Sequence, residues 1–211
     1  LGAGGYPVPA RGADTEEWNG SAWSETANLG TSRYGCHSAG TQTAALCITG
    51  HTYPGSETVD VEQYDGSSWS QITDVNTSRR QHAAAGTSTA ALAIGGNNGG
   101  SVSDAVESWN GTAWTETHEI NTARDALGGD GTSTLALVWG GTSPARDETE
   151  VYDGSSWTES GDLNSGRWGT SGGGTTSSAV TAGGFVLPGN TASTATEEWT
   201  QASAAVTFTS S

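Results

Sequence analysis

The sequence predicts an all-β chain built from one four-stranded antiparallel unit repeated along its length. Three observations carry this. Thr58–Ile72, TVDVEQYDGSSWSQI, returns as ADTEEWNGSAWSET from Ala13, DAVESWNGTAWTET from Asp104 and DETEVYDGSSWTES from Asp147, with a shorter copy, STATEEWTQ, from Ser193. The aromatics that close the first strand of each copy, Trp18, Tyr64, Trp109, Tyr152 and Trp199, are spaced by 46, 45, 43 and 47 residues. Between the copies a second block recurs: Thr-Ser-Arg at 31–33 and 77–79, Thr-Ala-Arg at 122–124 and Ser-Gly-Arg at 165–167. Four short strands per repeat of this length is the size of one propeller blade. A helical solenoid needs apolar residues at 3.6-residue spacing, which is absent, and a flat array of hairpins leaves open edges. The fold class is therefore a five-bladed β-propeller in one domain, residues 1–211, with blades at about 1–27, 28–73, 74–118, 119–161 and 162–211.

Each element has a local reason. The opening LGAGG matches the end of an apolar strand such as LAIGG at 92–96, so the first blade starts without its inner strand. Either roughly a dozen upstream residues supply it, about one strand with its turn, or the C-terminal strand fills the gap. In the hairpins, an alternating acidic strand ends on the aromatic, Asn-Gly or Asp-Gly turns the chain, and Trp23, Trp69, Trp114 or Trp157 begins the return strand. Asn-Gly and Asp-Gly suit two-residue turns in which both positions take positive φ. Each repeat arginine opens a small-residue strand that turns at Gly40-Thr41, Gly86-Thr87, Gly131-Thr132 or Gly174-Thr175. An apolar strand follows: TAALCITG, TAALAIGG, TLALVWGG or SAVTAGG. Ala204–Thr209, AAVTFT, reads as the outer strand of the last blade.

The 211 residues include seven basic and 23 acidic side chains, for a net charge of −16. A nucleic-acid binder needs a basic face, and an anionic membrane attracts cations, so neither is an expected partner. No apolar run approaches the length of a membrane span. The acidic residues concentrate in the hairpin strands, Glu62, Glu107, Glu150 and Glu197 among them, and read as a solvated rim.

Strand order places the candidates. With the arginine strand innermost, Arg33, Arg79, Arg124 and Arg167 ring the mouth of the central channel, able to hold an anionic or hydroxyl-rich ligand. The structural reading has each arginine paired with a carboxylate or strand-end carbonyl of a neighbouring blade. The register-locked tryptophans read as packing between blades. The loops that differ between repeats, 51–57, 97–103, 142–148 and 185–193, share one face, and Tyr53 and Phe185 on them are the candidate contact residues. Cys36 and Cys47 lie equidistant from the Thr41-Gln42 turn. They form a cross-strand disulfide in an oxidising compartment, or a reduced buried pair. The four histidines show no metal spacing, no cofactor is expected, and no nucleophile or phosphate-binding motif stands out.

The glycine pairs at 95–96, 140–141 and 183–184, each followed by an acidic strand ending in an aromatic and then by Trp after a turn, resemble Kelch repeats, as in the galactose oxidase and Kelch propeller families. The compact form, T-E-E-W/Y-N/D-G-S-S-W with a Thr-x-Arg block, is similar to Kelch-like arrays in predicted structural and tail proteins of marine bacteriophages, over residues 1–200. No copper-ligand set of the galactose oxidase kind can be assigned. The resemblance implies a non-catalytic binding or display module on a virion surface, a tail-fibre component touching host glycans. The alternatives are a structural or protein-docking propeller whose partners are other virion proteins, a small carbohydrate-active enzyme, or a consensus-derived design.

Overall fold

The computed structural model describes residues 1–5, 12–52, 54–142, 144, 146–186 and 189–201. Every regular element among them is a β-strand, and all ladders are antiparallel. The third sheet runs Ala83–Thr87, Ala90–Ile94, Val106–Trp109, Trp114–Glu116, each strand paired to the next. The fourth repeats it with Gly128–Gly131, Ala136–Trp139, Thr149–Tyr152 and Trp157–Glu159. In the second, Arg33–Tyr34 and His37–Thr41 both pair with the long strand Ala44–Thr52, followed by Glu57–Tyr64 and Trp69–Gln71. The first sheet has three strands, Gly2–Ala3, Thr15–Trp18 and Trp23–Glu25. The last repeat gives Ser171–Thr175, Ser178–Ala182 and Thr196–Thr200, beside a small sheet of Arg167–Trp168, Phe185–Val186 and Thr191–Ala192. The outer strand expected at Ala204–Thr209 lies outside the described residues.

The hairpin turns differ from expectation in an instructive way. Trp18 pairs with Trp23, Tyr64 with Trp69, Trp109 with Trp114 and Tyr152 with Trp157, so each loop has four residues rather than two. Only the glycine of each loop takes positive φ, as at Gly66 (93°). The preceding Asn or Asp works through its side chain: Asp65 Oδ1 accepts the N–H groups of Ser67 and Ser68, both at 2.8 Å. A carboxylate or amide oxygen thus caps the turn from inside, an Asx arrangement. At the other hairpin, Gly86 is required by contact: a Cβ there would lie 2.2 Å from the Ala90 carbonyl oxygen.

Successive sheets meet along their first strands. His37–Thr41 lies against Ala83–Thr87, that strand against Gly128–Gly131, and that one against Ser171–Thr175. Alanine and glycine dominate these strands because the backbones run close together. Behind them, each seam is built from the same two faces. Leu46, Ile48 and Val61 of the second repeat, with Val75 just beyond it, cover Ala91, Ala93, Trp109 and Trp114 of the third. Leu92, Ile94, Val106 and Ile120 then cover Ala136, Val138, Tyr152 and Trp157 of the fourth. Leu137 and Trp139, with Leu163, cover Ala179 and Trp199 of the fifth. Each fully buried aliphatic side chain contributes about 1.5–3 kcal/mol, so the seams are the core. Packing of the Trp set between repeats holds for Trp114 and Trp157, with Trp69 half-buried. Trp23 is the exception, 56% exposed, because no described sheet precedes it.

Candidate functional site: a row of unrepeated side chains

The four repeat arginines do not line an open mouth. Arg33, Arg79, Arg124 and Arg167 are at most 1% exposed. Each reaches a glutamate of its own repeat, two residues before the hairpin aromatic: Arg33 to Glu62 at 2.5 Å, Arg79 to Glu107 and Arg124 to Glu150 at 2.6 Å, and Arg167 to Glu197. The remaining donors go to main-chain carbonyls, as when Arg79 NH1 bonds Gly95 O (3.1 Å) and Ala105 O (2.8 Å). The carboxylates also accept backbone N–H groups from Gly30, Asn76, Asn121 and Asn164. The pairing reading of the arginines therefore holds, with the carboxylate coming from the same repeat rather than a neighbouring blade, and they are internal braces rather than a ligand-holding ring. Glu62, Glu107 and Glu150 are buried rather than on a solvated rim, which corrects that expectation. A carboxylate that a guanidinium can satisfy by charge-assisted bonds is stable in such a place, and an unpaired one is not.

The residues just after each arginine build a different feature. Gln81 N–H donates to Gly35 O (2.7 Å), Ala126 N–H to Gln81 O (2.7 Å) and Gly169 N–H to Ala126 O (2.8 Å). One backbone hydrogen-bond chain therefore joins four repeats. All four residues take left-handed φ, between 51° and 64°, although two of them are not glycine. Immediately before them stand Tyr34, Arg80, Asp125 and Trp168. The arginine before them is invariant, these four differ in every copy, and so do Cys36, His82, Leu127 and Thr170 two positions on.

Each member of the row has its own surroundings. Arg80 NH1 donates to the Tyr34 hydroxyl (3.0 Å) and pairs with Glu57 (3.3 Å), which His51 Nδ1 also contacts (3.1 Å). Partial burial acts to raise the Glu57 pKa, but its own backbone N–H, His51 and the Arg80 charge outweigh that and hold it below the usual carboxylate range. Asp125 accepts from Asn97 Nδ2 (3.0 Å) and from the Thr142 hydroxyl. Trp168 stacks on Phe185 with ring centroids 4.8 Å apart and planes at 25°. Phe185 keeps 38% of its surface exposed, as its variable-loop position predicts. Tyr53 lies outside the described residues.

Beside the row, the first strands of four repeats begin around an open hollow of about 290 Å³, lined by His37, Gln81, Ala126, Leu127, Gly169 and Thr170–Ser171. His37 lies 5.3 Å from the ring of the buried His82. Burial pushes His37 down to about 4 and His82 well below the usual imidazole range, the latter helped by the neighbouring charges of His37 and Arg79. Both rings are therefore neutral at pH 7. His82 Nδ1 contacts the Thr49 hydroxyl (3.3 Å), while its Nε2 has no hydrogen-bond partner among the described residues. Among the described residues, no group of three or more His, Cys, Asp or Glu is placed to hold a metal ion.

The cysteines are close neighbours but not at the expected register. Cys47 pairs with Ser38, and Cys36 precedes the strand, because the turn is centred one residue later, at Gln42-Thr43. Both are free thiols. Cys47 donates to Cys36, which pushes the Cys36 thiol down and, with burial, pushes Cys47 up.

No protein-family model matches the chain, and no curated protein matches it. Among solved structures, that of YjhT superposes with a TM-score of 0.76 at 12% identity, covering 89% of this chain and 72% of that one. At that identity the likeness is one of fold alone: the repeated four-stranded sheets of this chain are arranged as in the structure of YjhT.

Proposed function

We propose that the chain is a non-catalytic binding or display module, a Kelch-like five-bladed β-propeller, whose ligand surface is formed by the part-exposed Tyr34, Arg80 and Trp168 with Phe185. One observation carries the reading. Repeated residues are consumed by braces, turns and seams, whereas the residue after each arginine changes from copy to copy and, at Tyr34, Arg80 and Trp168, stays part-exposed on that frame. Selection for a contact surface leaves that pattern, since binding side chains sit on variable positions held by a fixed scaffold. The stacked, part-exposed Trp168–Phe185 pair offers the flat apolar surface on which a sugar ring rests, and the polar members offer hydrogen bonds beside it. With the resemblance to phage Kelch-like arrays, this favours a virion-surface component, of tail-fibre type, that contacts host glycans.

A glycan-array screen tests this, with Trp168→Ala and Phe185→Ala proteins alongside the parent. Binding to a defined glycan class that drops at least ten-fold in either variant, with far-UV circular dichroism unchanged, is the expected result. A folded parent that binds no glycan sinks the reading and leaves a propeller whose partners are proteins.

A further inference from the structure

The chain separates its positive and negative charges by depth. It has 23 acidic residues and seven basic ones, every one of the latter an arginine. Arg33, Arg79, Arg124 and Arg167 are buried in their braces. Arg80 and Arg146, with side chains 27% and 19% exposed, pair with Glu57 and Glu148. Arg11 lies outside the described residues, so among the described ones no exposed side chain carries a permanent positive charge. The carboxylates divide differently. Glu62, Glu107 and Glu150 are buried against their arginines. Asp65, Glu116, Glu119, Asp153, Glu159 and Asp162 are exposed, with no ion pair among the described residues. Their positions follow the repeat. Asp65 and Asp153 open hairpin turns, Glu116 and Glu159 end the outer strands, and Glu119 and Asp162 come three residues later. Glu116 stands opposite Glu107 in the ladder and Glu159 opposite Glu150, an arrangement of like charges that works against pairing. Serine N–H and O–H groups bonded to Asp65 and Asp153 hold both carboxyls down to about 2, so these charges persist in mildly acidic media.

Salt acts on these two populations unequally. The screening length falls from about 30 Å at 0.01 M salt to about 3 Å at 1 M, and exposed charges feel this far more than buried ones. Added salt therefore weakens repulsion among the exposed carboxylates and leaves the Arg–Glu braces almost untouched. On a surface of mixed charge the two effects offset, because exposed attractive pairs are screened as well. Here the attraction is inside and the repulsion outside, so the balance runs one way. Self-repulsion at a net charge of −16 opposes the compact state until it is screened. We infer that the fold is built for a medium of high ionic strength, in which mobile cations screening its exposed carboxylates supply stability that the chain lacks in dilute buffer. The screening is diffuse and requires no bound ion, so sodium and potassium serve alike.

Thermal unfolding at constant neutral pH, followed by far-UV circular dichroism from about 20 mM to about 1 M NaCl, tests this. The midpoint should rise by about 5 °C or more, with most of the gain below about 0.5 M, where the screening length shortens fastest. A chain unfolded in dilute buffer and folded in salt is the limiting form of the same result. A variant carrying Glu116→Gln, Glu119→Gln, Glu159→Gln and Asp162→Asn removes four exposed charges and no member of a brace. It should be more stable than the parent in dilute buffer and should keep less than half of the parent's rise. Salting-out by exclusion from the protein surface acts on both proteins alike, so an equal rise in the variant overturns the inference. A midpoint that stays level or falls with salt also overturns it. So does a full gain from about 1 mM CaCl2 at fixed ionic strength, which would make the stabilising agent a bound ion.

Discussion

Replacing Arg79 with methionine removes the cation from a brace whose two partners are 1% and 0% exposed. Glu107 keeps three N–H donors, Asn76 N (2.6 Å), Asn76 Nδ2 (2.8 Å) and Thr77 N (3.1 Å), but loses its counter-charge. The carbonyls of Gly95 and Ala105 each lose a donor. Stranding one member of a buried ion pair costs about 3–5 kcal/mol, and the retained donors on Glu107 place the expected loss near 4. That is a large share of the roughly 5–15 kcal/mol by which a domain is stable. The double change Arg79→Met with Glu107→Leu removes both charges, so its loss should fall at least about 2 kcal/mol short of the sum of the singles. Arg146→Met, at a more exposed pair with Glu148, should cost about 0–1 kcal/mol. Urea unfolding, followed by tryptophan fluorescence and far-UV circular dichroism, measures the four variants, the Glu107→Leu single among them, against the parent. Coincident transitions license a single free energy. A loss under about 1 kcal/mol for Arg79→Met, or strict additivity in the double variant, would refute the brace.

Two further outcomes follow from the inner edge. His37 and His82 resist protonation in the fold more than in the unfolded chain, so acidification favours unfolding. Their contribution is complete above about pH 6.5 and is lost as pH falls toward the folded value near 4 for His37; for His37 it is about 3 kcal/mol at most. Urea midpoints at pH 7 and 4.5 should differ by less in His82→Asn than in the parent, and an unchanged pH slope would remove these imidazoles from the account. At the left-handed positions, Ala126→Gly relieves a φ of 51° and should stabilise by about 0.5–1 kcal/mol, whereas Gly169→Ala, at 63°, should destabilise by a similar amount. Thermal midpoints moving in the same direction for both would show that backbone strain does not decide these sites.

Much of the architecture was legible because a repeat exposes its own constraints. The aromatics and glycine pairs marked strands and turns at a constant period, and Trp114 and Trp157 lie in the seams that register implies. The acidic strand misled for a physical reason: an alternating Glu pattern reads as a solvated edge unless the cation that neutralises it is known. Glu62, Glu107, Glu150 and Glu197 carried a usable mark, their fixed place two residues before the aromatic while neighbouring positions vary. The Asx turns were hidden because Asn and Asp serve both as residues tolerant of positive φ and as side-chain acceptors. The cysteine register was hidden because the Gly-Thr-Gln-Thr turn can centre on either Thr41-Gln42 or Gln42-Thr43, and the composition does not distinguish the two. The row of Tyr34, Arg80, Asp125 and Trp168 was legible only as variation following an invariant arginine.

Native-state hydrogen exchange tests most directly whether successive sheets lock into one frame through their inner edges. The amides of Gln81, Ala126 and Gly169 lie outside the regular ladders, yet each donates across a seam, as do those of Gly50, Gly96 and Gly141 to the arginine carbonyl of the next repeat. Exchange as slow as at Leu92, in the core strand Ala90–Ile94, is expected at all six, since opening any of them requires parting two sheets. Exchange as fast as in the exposed hairpin loop at Gly111 would mean that the sheets are not joined there, and the row of candidate binding residues would lose the frame that aligns it.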